Sequence, residues 1–213
     1  LVQMVNNDGE SALRIAVRGS YLDAIAALIN AVPELSLQLK IEINDLKSAS
    51  KLLFAAAKLK YKNTITAVLN IVPEQYRQRL VEMVNINGNS ALMVAAEGAH
   101  EEVIAMLLKA VPNPQQLALI KNKDGNTALM LAIGSFGIAG EDSMIAILDA
   151  VPNPNQLIEQ TGLNGWTTLM YAADANAITI PELLKSLPMP NRQQLAQRVS
   201  NNDMTALMIA IDE

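Results

Sequence analysis

The strongest pattern along the chain is an apolar phrase that recurs six times. Its leucine stands at Leu13, Leu52, Leu92, Leu129, Leu169 and Leu207, in steps of 37 to 40 residues. A second phrase, an apolar residue followed by proline, ends at Pro33, Pro73, Pro112, Pro152 and Pro188. Because the two phrases advance together, they predict an array of helical repeats with a unit of about 39 residues.

Residues around the motif leucine predict how the first helix of each unit begins. Four units carry glycine four positions earlier, where a turn with positive φ is needed, and Ser48 and Asp203 replace it elsewhere. Hydroxyl residues two positions before the leucine predict N-caps, at Ser11, Ser50, Ser90, Thr127, Thr167 and Thr205. Alanine three positions after it predicts a close neighbouring backbone, at Ala16, Ala55, Ala95, Ala132, Ala172 and Ala210.

Apolar spacing before the proline predicts a second helix. Its buried face begins eight residues before each proline, at Ile25, Ile65, Ile104, Met144 and Ile180, and the helix is expected to end at the residue before the proline. After the proline, Gln-rich stretches with inward leucines predict a short third helix, with Leu80, Leu117, Leu157 and Leu195 facing the core. A β-hairpin finger is the alternative for this segment.

The stretch Thr127-Ala128-Leu129-Met130-Leu131-Ala132 resembles the turn-and-helix signature of the ankyrin-repeat family. His100 stands where that family often has a Gly-His pair opening the second helix. The resemblance covers nearly the whole chain, but the unit is longer than the usual 33 or so residues and the family's proline and histidine are replaced. The longer "TALM" units look similar to ankyrin-containing proteins of intracellular bacterial pathogens.

The expected fold class is therefore all-α, a helical repeat solenoid of the ankyrin type with a short third helix in each repeat. The units are placed at about 6–44, 45–84, 85–121, 122–161, 162–199 and a partial unit at 200–213. Residues 1–9 match residues 80–88, and polar capping repeats are not visible at either end. We therefore expect a single solenoid that is a segment of a longer, monomeric chain.

Composition narrows the classes of function. The chain is 51% hydrophobic but only 3% aromatic, and its net charge is −5 without a basic stripe, which argues against a nucleic-acid partner. Absence of cysteine excludes disulfides, Cys-based zinc sites and Cys nucleophiles, and is compatible with a reducing cytosol. The expected localisation is cytoplasmic, or the host cytosol for a secreted bacterial effector. No apolar run reaches transmembrane length, so no membrane partner is expected.

Catalytic candidates are few. His100 is the single histidine, and its repeat position makes it a residue that opens a second helix. Acidic pairs at Glu101–Glu102 and Glu141–Asp142 fall where second helices begin, where carboxylates favour the helix dipole. Phosphate-binding, dinucleotide and calcium-loop motifs are absent. We expect no enzyme activity, no cofactor and no metal.

The family resemblance implies that a protein partner binds to a concave face made of turns and first helices. It singles out residues beside each turn: Asp8, Glu10, Asn87, Asn89, Asp124, Asn126, Asn164, Trp166, Asn202 and Met204. It also singles out the ends of first helices: Arg18, Glu97, Ser135 and Asp174. For the Asn and Asp residues, turn chemistry alone is the competing explanation.

Two aromatic residues break the repeat pattern. Trp166 is the only tryptophan and replaces the Glu or Asn of other turns, which makes it a candidate interface anchor; packing on a neighbouring turn is the alternative. Phe136 lies in a glycine-rich insertion of the fourth unit, and insertions in repeats often fall on the binding face, although a tolerated insertion also explains it.

The leading functional hypothesis is a scaffold for protein–protein interaction. Its alternative is a substrate-recruiting repeat domain of a larger enzyme whose catalytic part lies outside this segment. A structural spacer is a third interpretation. Lysines in the second repeat form the only local positive cluster, either as a solvated face or as a contact for an acidic partner: Lys47, Lys51, Lys58, Lys60 and Lys62.

Overall fold

The computed structural model describes residues 6, 11–18, 21–33, 46–134, 138–175 and 179–211. These residues form fifteen α-helices and no β-strand, with two isolated antiparallel bridges, Val84 to Ser90 and Thr161 to Thr167. The chain divides into two compact units, Leu1–Met83 and Val84–Glu213, here called unit 1 and unit 2. Within each unit helices stack repeat on repeat, which confirms the predicted all-α class of helical solenoid.

Unit 1 contains five described helices. They are α1 (Ala12–Arg18), α2 (Leu22–Ala31), α3 (Leu46–Lys58), α4 (Lys62–Ile71) and α5 (Glu74–Val81). The second helices α2 and α4 pack against each other and against the first helix α3. A buried hydrogen bond joins them, because the Thr64 hydroxyl donates to the Ala26 carbonyl over 2.6 Å.

Unit 2 repeats the three-helix order. Its helices are α6 (Ala91–Glu97), α7 (Glu101–Lys109), α8 (Pro114–Ala118), α9 (Ala128–Gly134), α10 (Ile138–Ala150), α11 (Pro154–Ile158), α12 (Thr168–Asp174), α13 (Ile180–Lys185), α14 (Met189–Gln197) and α15 (Ala206–Ile211). First helices α6, α9, α12 and α15 pack in succession, and α7 packs against α10. The first helices of unit 2 therefore form one continuous layer of the stack.

Five of the six predicted N-caps are confirmed. Ser11, Ser90, Thr127, Thr167 and Thr205 each accept a hydrogen bond from the backbone N–H three residues ahead. The prediction for Ser50 is wrong, because α3 begins earlier, at Leu46, and the Ser50 hydroxyl instead donates to the Lys47 carbonyl inside the helix. The repeat that contains Ser50 has no glycine turn before its motif, and α3 extends through the position where the turn would be.

The segments around each proline follow the prediction with one adjustment. Second helices end two or three residues before the proline rather than immediately before it, as with α4 at Ile71 and α7 at Lys109. The third helix is confirmed as α5, α8, α11 and α14, and its inward leucines are buried. The alternative, a β-hairpin finger, is not formed in the described residues. The isolated bridges lie after the third helices, where they close the turns that follow. The third helix predicted for the first unit lies outside the described residues.

Motif leucines and alanines lie in the core of each unit. Leu13, Leu52, Leu92, Leu129 and Leu169 are all at most 5% exposed. The alanines three residues later are also buried, at most 8% exposed. Leu207 and Ala210 differ, since both are exposed on α15, where no described helix covers that face.

Two adjacent threonines at the start of α12 predict opposite effects of the same substitution. Both are fully buried, but the Thr167 hydroxyl caps the helix whereas the Thr168 hydroxyl has no hydrogen-bond partner among the described residues. Thr167→Val is expected to cost about 1 kcal/mol of unfolding free energy. Thr168→Val removes an unsatisfied hydroxyl at constant shape and is expected to be neutral or to stabilise by about 1 kcal/mol. Thermal unfolding of the two variants tests this, and equal destabilisation by both would contradict it.

Candidate functional site

Three of the four turns that precede first helices in unit 2 are built by side-chain hydrogen bonds. Asn85 Oδ1 accepts from the backbone N–H groups of Asn87 and Asn89, and Asn122 Oδ1 accepts from those of Asp124 and Asn126. Ser200 performs the same role for the last turn. Turn chemistry therefore accounts for the asparagines that lead these turns, while Asn87 and Asp124 after them are exposed.

Backbone hydrogen bonds link each turn to the next one in the stack. Lys123 N–H donates to the Asn87 carbonyl, Leu163 N–H to the Asp124 carbonyl, and Asn201 N–H to the Asn164 carbonyl. The distances are 3.1, 3.2 and 3.0 Å. Since the bond repeats at every junction, the turns form one ladder and hold their side chains at regular intervals.

One junction in this ladder differs from the one before it. Asn122 Nδ2 donates to Asn89 Oδ1 over 2.9 Å, a side-chain bond between successive turns. In the next repeat the position of Asn122 is occupied by Gly162, which has no side chain to donate. The Tyr171 hydroxyl fills this place and donates to Asn126 Oδ1 over 2.6 Å. A Cβ on Gly162 would stand 2.8 Å from that hydroxyl, so the glycine makes room for the tyrosine.

Trp166 packs against Tyr171 rather than extending freely into solvent. The two ring centroids lie 5.3 Å apart with an interplanar angle of 62°, an edge-to-face arrangement that favours aromatic pairs. Both side chains are half-buried. Trp166 thus stands at the turn and Tyr171 one helical turn further along α12, and each limits the rotamers of the other.

A groove opens beside this aromatic pair. It has a cavity volume of about 480 Å³. Three successive repeats line it: the end of α6 and the residues after it, the turn and inner face of α9, and α12. The lining residues are Glu97, Gly98, Ala99, Asn126, Met130, Leu131, Gly134 and Tyr171. Its floor is mostly apolar, with an amide, a phenol and a carboxylate at the edges.

The charged groups that line the groove or act on Tyr171 are carboxylates. Burial raises the pKa of Tyr171, the hydrogen bond with Asn126 lowers it in part, and the charges of Asp124 and Asp174 raise it further. The phenol therefore stays neutral and keeps its donor role at neutral pH. Asp124, Asp174 and Glu97 are exposed carboxylates, and among the described residues that line the groove none carries a positive charge.

The structure brings together only part of the predicted set of site residues. Glu97 and Asn126 line the groove, and Trp166 reaches it through Tyr171. Asp124 and Asp174 act on Tyr171 through their charges. Asn89 is joined to Asn122 one turn away, and Asn164 is exposed at its turn. Of the remainder, Arg18 ends α1 in unit 1, and Glu10 and Phe136 lie outside the described residues.

Tyr171 is the groove residue that the sequence prediction missed. Its column, two residues after the motif leucine, otherwise holds apolar side chains, as at Val94 and Leu131. Tyr171 is the only member of that column with a hydroxyl. The sequence held one clue to this role. The repeat that carries tyrosine in this column also carries Gly162 where the preceding repeat has Asn122. Neither change suggests a site alone, because the pairing appears only when the two turns are stacked.

Catalytic chemistry finds no support in the described residues. His100 precedes α7, where its backbone carbonyl accepts from Ile104 N–H and its ring covers Gly98. Glu101 and Glu102 are exposed in the first turn of α7, as the helix-dipole interpretation expects. In this part of the chain no group of three or more His, Cys, Asp or Glu residues is placed to hold a metal ion.

The stacked helices define the class of the protein as a helical repeat solenoid. Comparison with known proteins indicates the type of repeat. A family model described as ankyrin repeats (3 copies) matches residues 52–150. Residues 52–150 are thus similar to ankyrin repeats, which are generally modules of protein–protein interaction and typically non-catalytic. Comparison with curated proteins found no match. Within the described ranges, no helix has the length and apolar character needed to cross a membrane.

Proposed function

We propose that the chain is a protein-interaction module and that a partner protein binds in the groove of unit 2. The observation that carries this proposal is the convergence of side chains from three successive repeats on one cavity. Glu97, Asn126 and Tyr171 are separated by 29 and 45 positions along the chain, so only the stack brings them together. A groove of this kind can hold several side chains of a partner at once.

Fixed aromatic side chains at the groove support a binding role. Tyr171 is held by its hydrogen bond to Asn126 and by the edge of Trp166. Because both rings are already restrained, a partner that packs on them loses little side-chain entropy on binding. Tyrosine and tryptophan are also the residues most often found as energetic anchors of protein interfaces.

Surrounding candidates extend the proposed surface. Asp124, Asn164 and Asp174 are exposed beside the groove or along the ladder of turns, and Asn89 stands one turn away. We assign these residues to the rim of the interface, where single substitutions change affinity modestly. Arg18, Glu10 and Phe136 remain candidate contacts predicted from the sequence alone.

Gly134 provides a sharp test, because a side chain added there clashes with none of the described residues. A Cβ on this residue meets no described atom within 4 Å, although the residue lines the groove. Gly134→Arg therefore fills the groove, whereas Gly134→Ala adds one methyl group at the same position. We expect affinity capture from a cell lysate to recover a partner with the wild-type chain and Gly134→Ala and to lose it with Gly134→Arg.

Trp166→Ala completes this experiment. It is expected to keep the helical circular dichroism of the chain and to weaken capture of the same partner by about tenfold or more. Retention of the partner by both Gly134→Arg and Trp166→Ala, at wild-type yield, would show that it binds elsewhere.

A further inference from the structure

The charges in the chain are divided unevenly. Residues 84–213 contain six Lys and Arg against thirteen Asp and Glu, a net charge of −7, whereas residues 1–83 contain ten against eight, a net charge of +2. The groove lies wholly in the acidic part. A partner segment that approaches it therefore meets a negative field, which favours positively charged segments and speeds their association.

The lining of the groove fits a long cationic side chain. Met130 and Leu131 offer apolar surface along which the methylene stem of a lysine or arginine packs. The Tyr171 ring lines the same space, and aromatic faces attract ammonium and guanidinium groups. Carboxylates stand at the edge: Glu97 in the lining, with Asp124 and Asp174 near enough to Tyr171 for their charges to act on its phenol.

Resting on the proposed function, we infer that the groove binds a lysine or arginine side chain presented by an apolar segment of the partner protein. The stem lies on Met130 and Leu131, the cation lies against Tyr171, and the charges of Glu97 in the lining and of Asp174, which acts on Tyr171, attract it. An acidic segment is disfavoured, because it would meet Glu97 in the described lining and the charges of Asp124 and Asp174 that act on Tyr171.

A selection experiment identifies the preferred chemistry without knowledge of the natural partner. The probe is a phage-displayed library of random twelve-residue peptides, selected on the wild-type chain at low salt, and the enriched peptides are then tested for binding to Gly134→Arg. We expect the enriched peptides to share a lysine or arginine next to apolar residues. One such peptide is then synthesised, and its dissociation constant is measured from the fluorescence of Trp166, the single tryptophan.

Two double variants with the same change in net charge separate a local effect from a general one. Glu97→Gln with Asp174→Asn neutralises the groove, and Glu101→Gln with Asp149→Asn neutralises two exposed carboxylates outside the lining. We expect the dissociation constant to rise about tenfold in the first double variant and less than threefold in the second. Raising the salt concentration should weaken binding in the wild type and much less in the first variant.

The outcomes that contradict this inference are distinct from those that contradict the proposed function. Enriched peptides that lose binding in Gly134→Arg but lack a shared cation, or that bind the neutralised groove as well as the wild type, would overturn the inference and leave the groove as the binding site. If the enriched peptides bind Gly134→Arg as well as the wild type, or if no peptide is enriched, both the inference and the proposed function are contradicted.

Discussion

Gly125→Ala is expected to lower the free energy of unfolding by about 2 to 4 kcal/mol, because the turn excludes a side chain in two ways. Gly125 has a φ of +74°, a conformation that is strained for alanine. A Cβ there would also stand 2.6 Å from the Leu163 backbone nitrogen, which belongs to the next turn. The substitution therefore pushes apart the junction where Leu163 N–H donates to the Asp124 carbonyl.

Gly134→Ala is the matched control for this prediction. Gly134 does not have a positive φ, it ends α9, and its Cβ would meet no atom of the described residues within 4 Å. The same substitution is therefore expected to be neutral or to stabilise by up to about 1 kcal/mol, since alanine is the better helix former. Urea unfolding followed by circular dichroism and by Trp166 fluorescence measures both variants. Similar stability of Gly125→Ala and the wild type would contradict the stacked-turn account.

Leu129→Ala is expected to cost about 3 to 5 kcal/mol, the range of leucine deletions in well-packed cores. Leu129 is fully buried on α9, between the first helices of the preceding and following repeats. Removal of its side chain leaves a cavity that helices fixed on both sides can close only in part. The lost stability therefore affects the repeats that build the groove.

Leu207→Ala tests whether position in the stack, rather than the motif itself, sets this cost. Leu207 occupies the same motif column but is 70% exposed. Its truncation is expected to change the unfolding free energy by less than about 0.5 kcal/mol, as for ordinary surface substitutions. Equal costs for Leu129→Ala and Leu207→Ala would mean that the motif leucine acts locally within its helix.

Much of the fold could be predicted from the periodic sequence. A glycine, a hydroxyl residue and a leucine at fixed spacing predict a turn, an N-cap and a buried helix, and five of six caps formed as expected. Asp203 also adopts a positive φ of 58°, as a residue in the glycine position must. The N-cap prediction for Ser50 was wrong because its repeat lacks that turn and α3 starts upstream of Ser50. A single column of the repeat is thus informative only when its neighbours in the unit are present.

The groove was harder to predict, for a physical reason. Periodicity identifies which positions are equivalent, but not which side chains meet across repeats. Glu97, Asn126 and Trp166 were candidates individually, yet their relation depends on Tyr171, which looked like an ordinary core residue of α12. Its role arises because Gly162 leaves Asn126 without the amide donor that Asn122 supplies to Asn89. Such a substitution of one donor for another becomes visible only when the turns are stacked.

Site-specific photo-cross-linking tests the central claim, that the partner occupies the groove of unit 2. A benzophenone side chain is introduced at position 134, inside the groove, and separately at exposed position 109 on α7, which does not line it. With the partner captured by the wild-type chain, we predict a cross-linked product from position 134 and none from position 109. A product from position 109 alone would contradict the account.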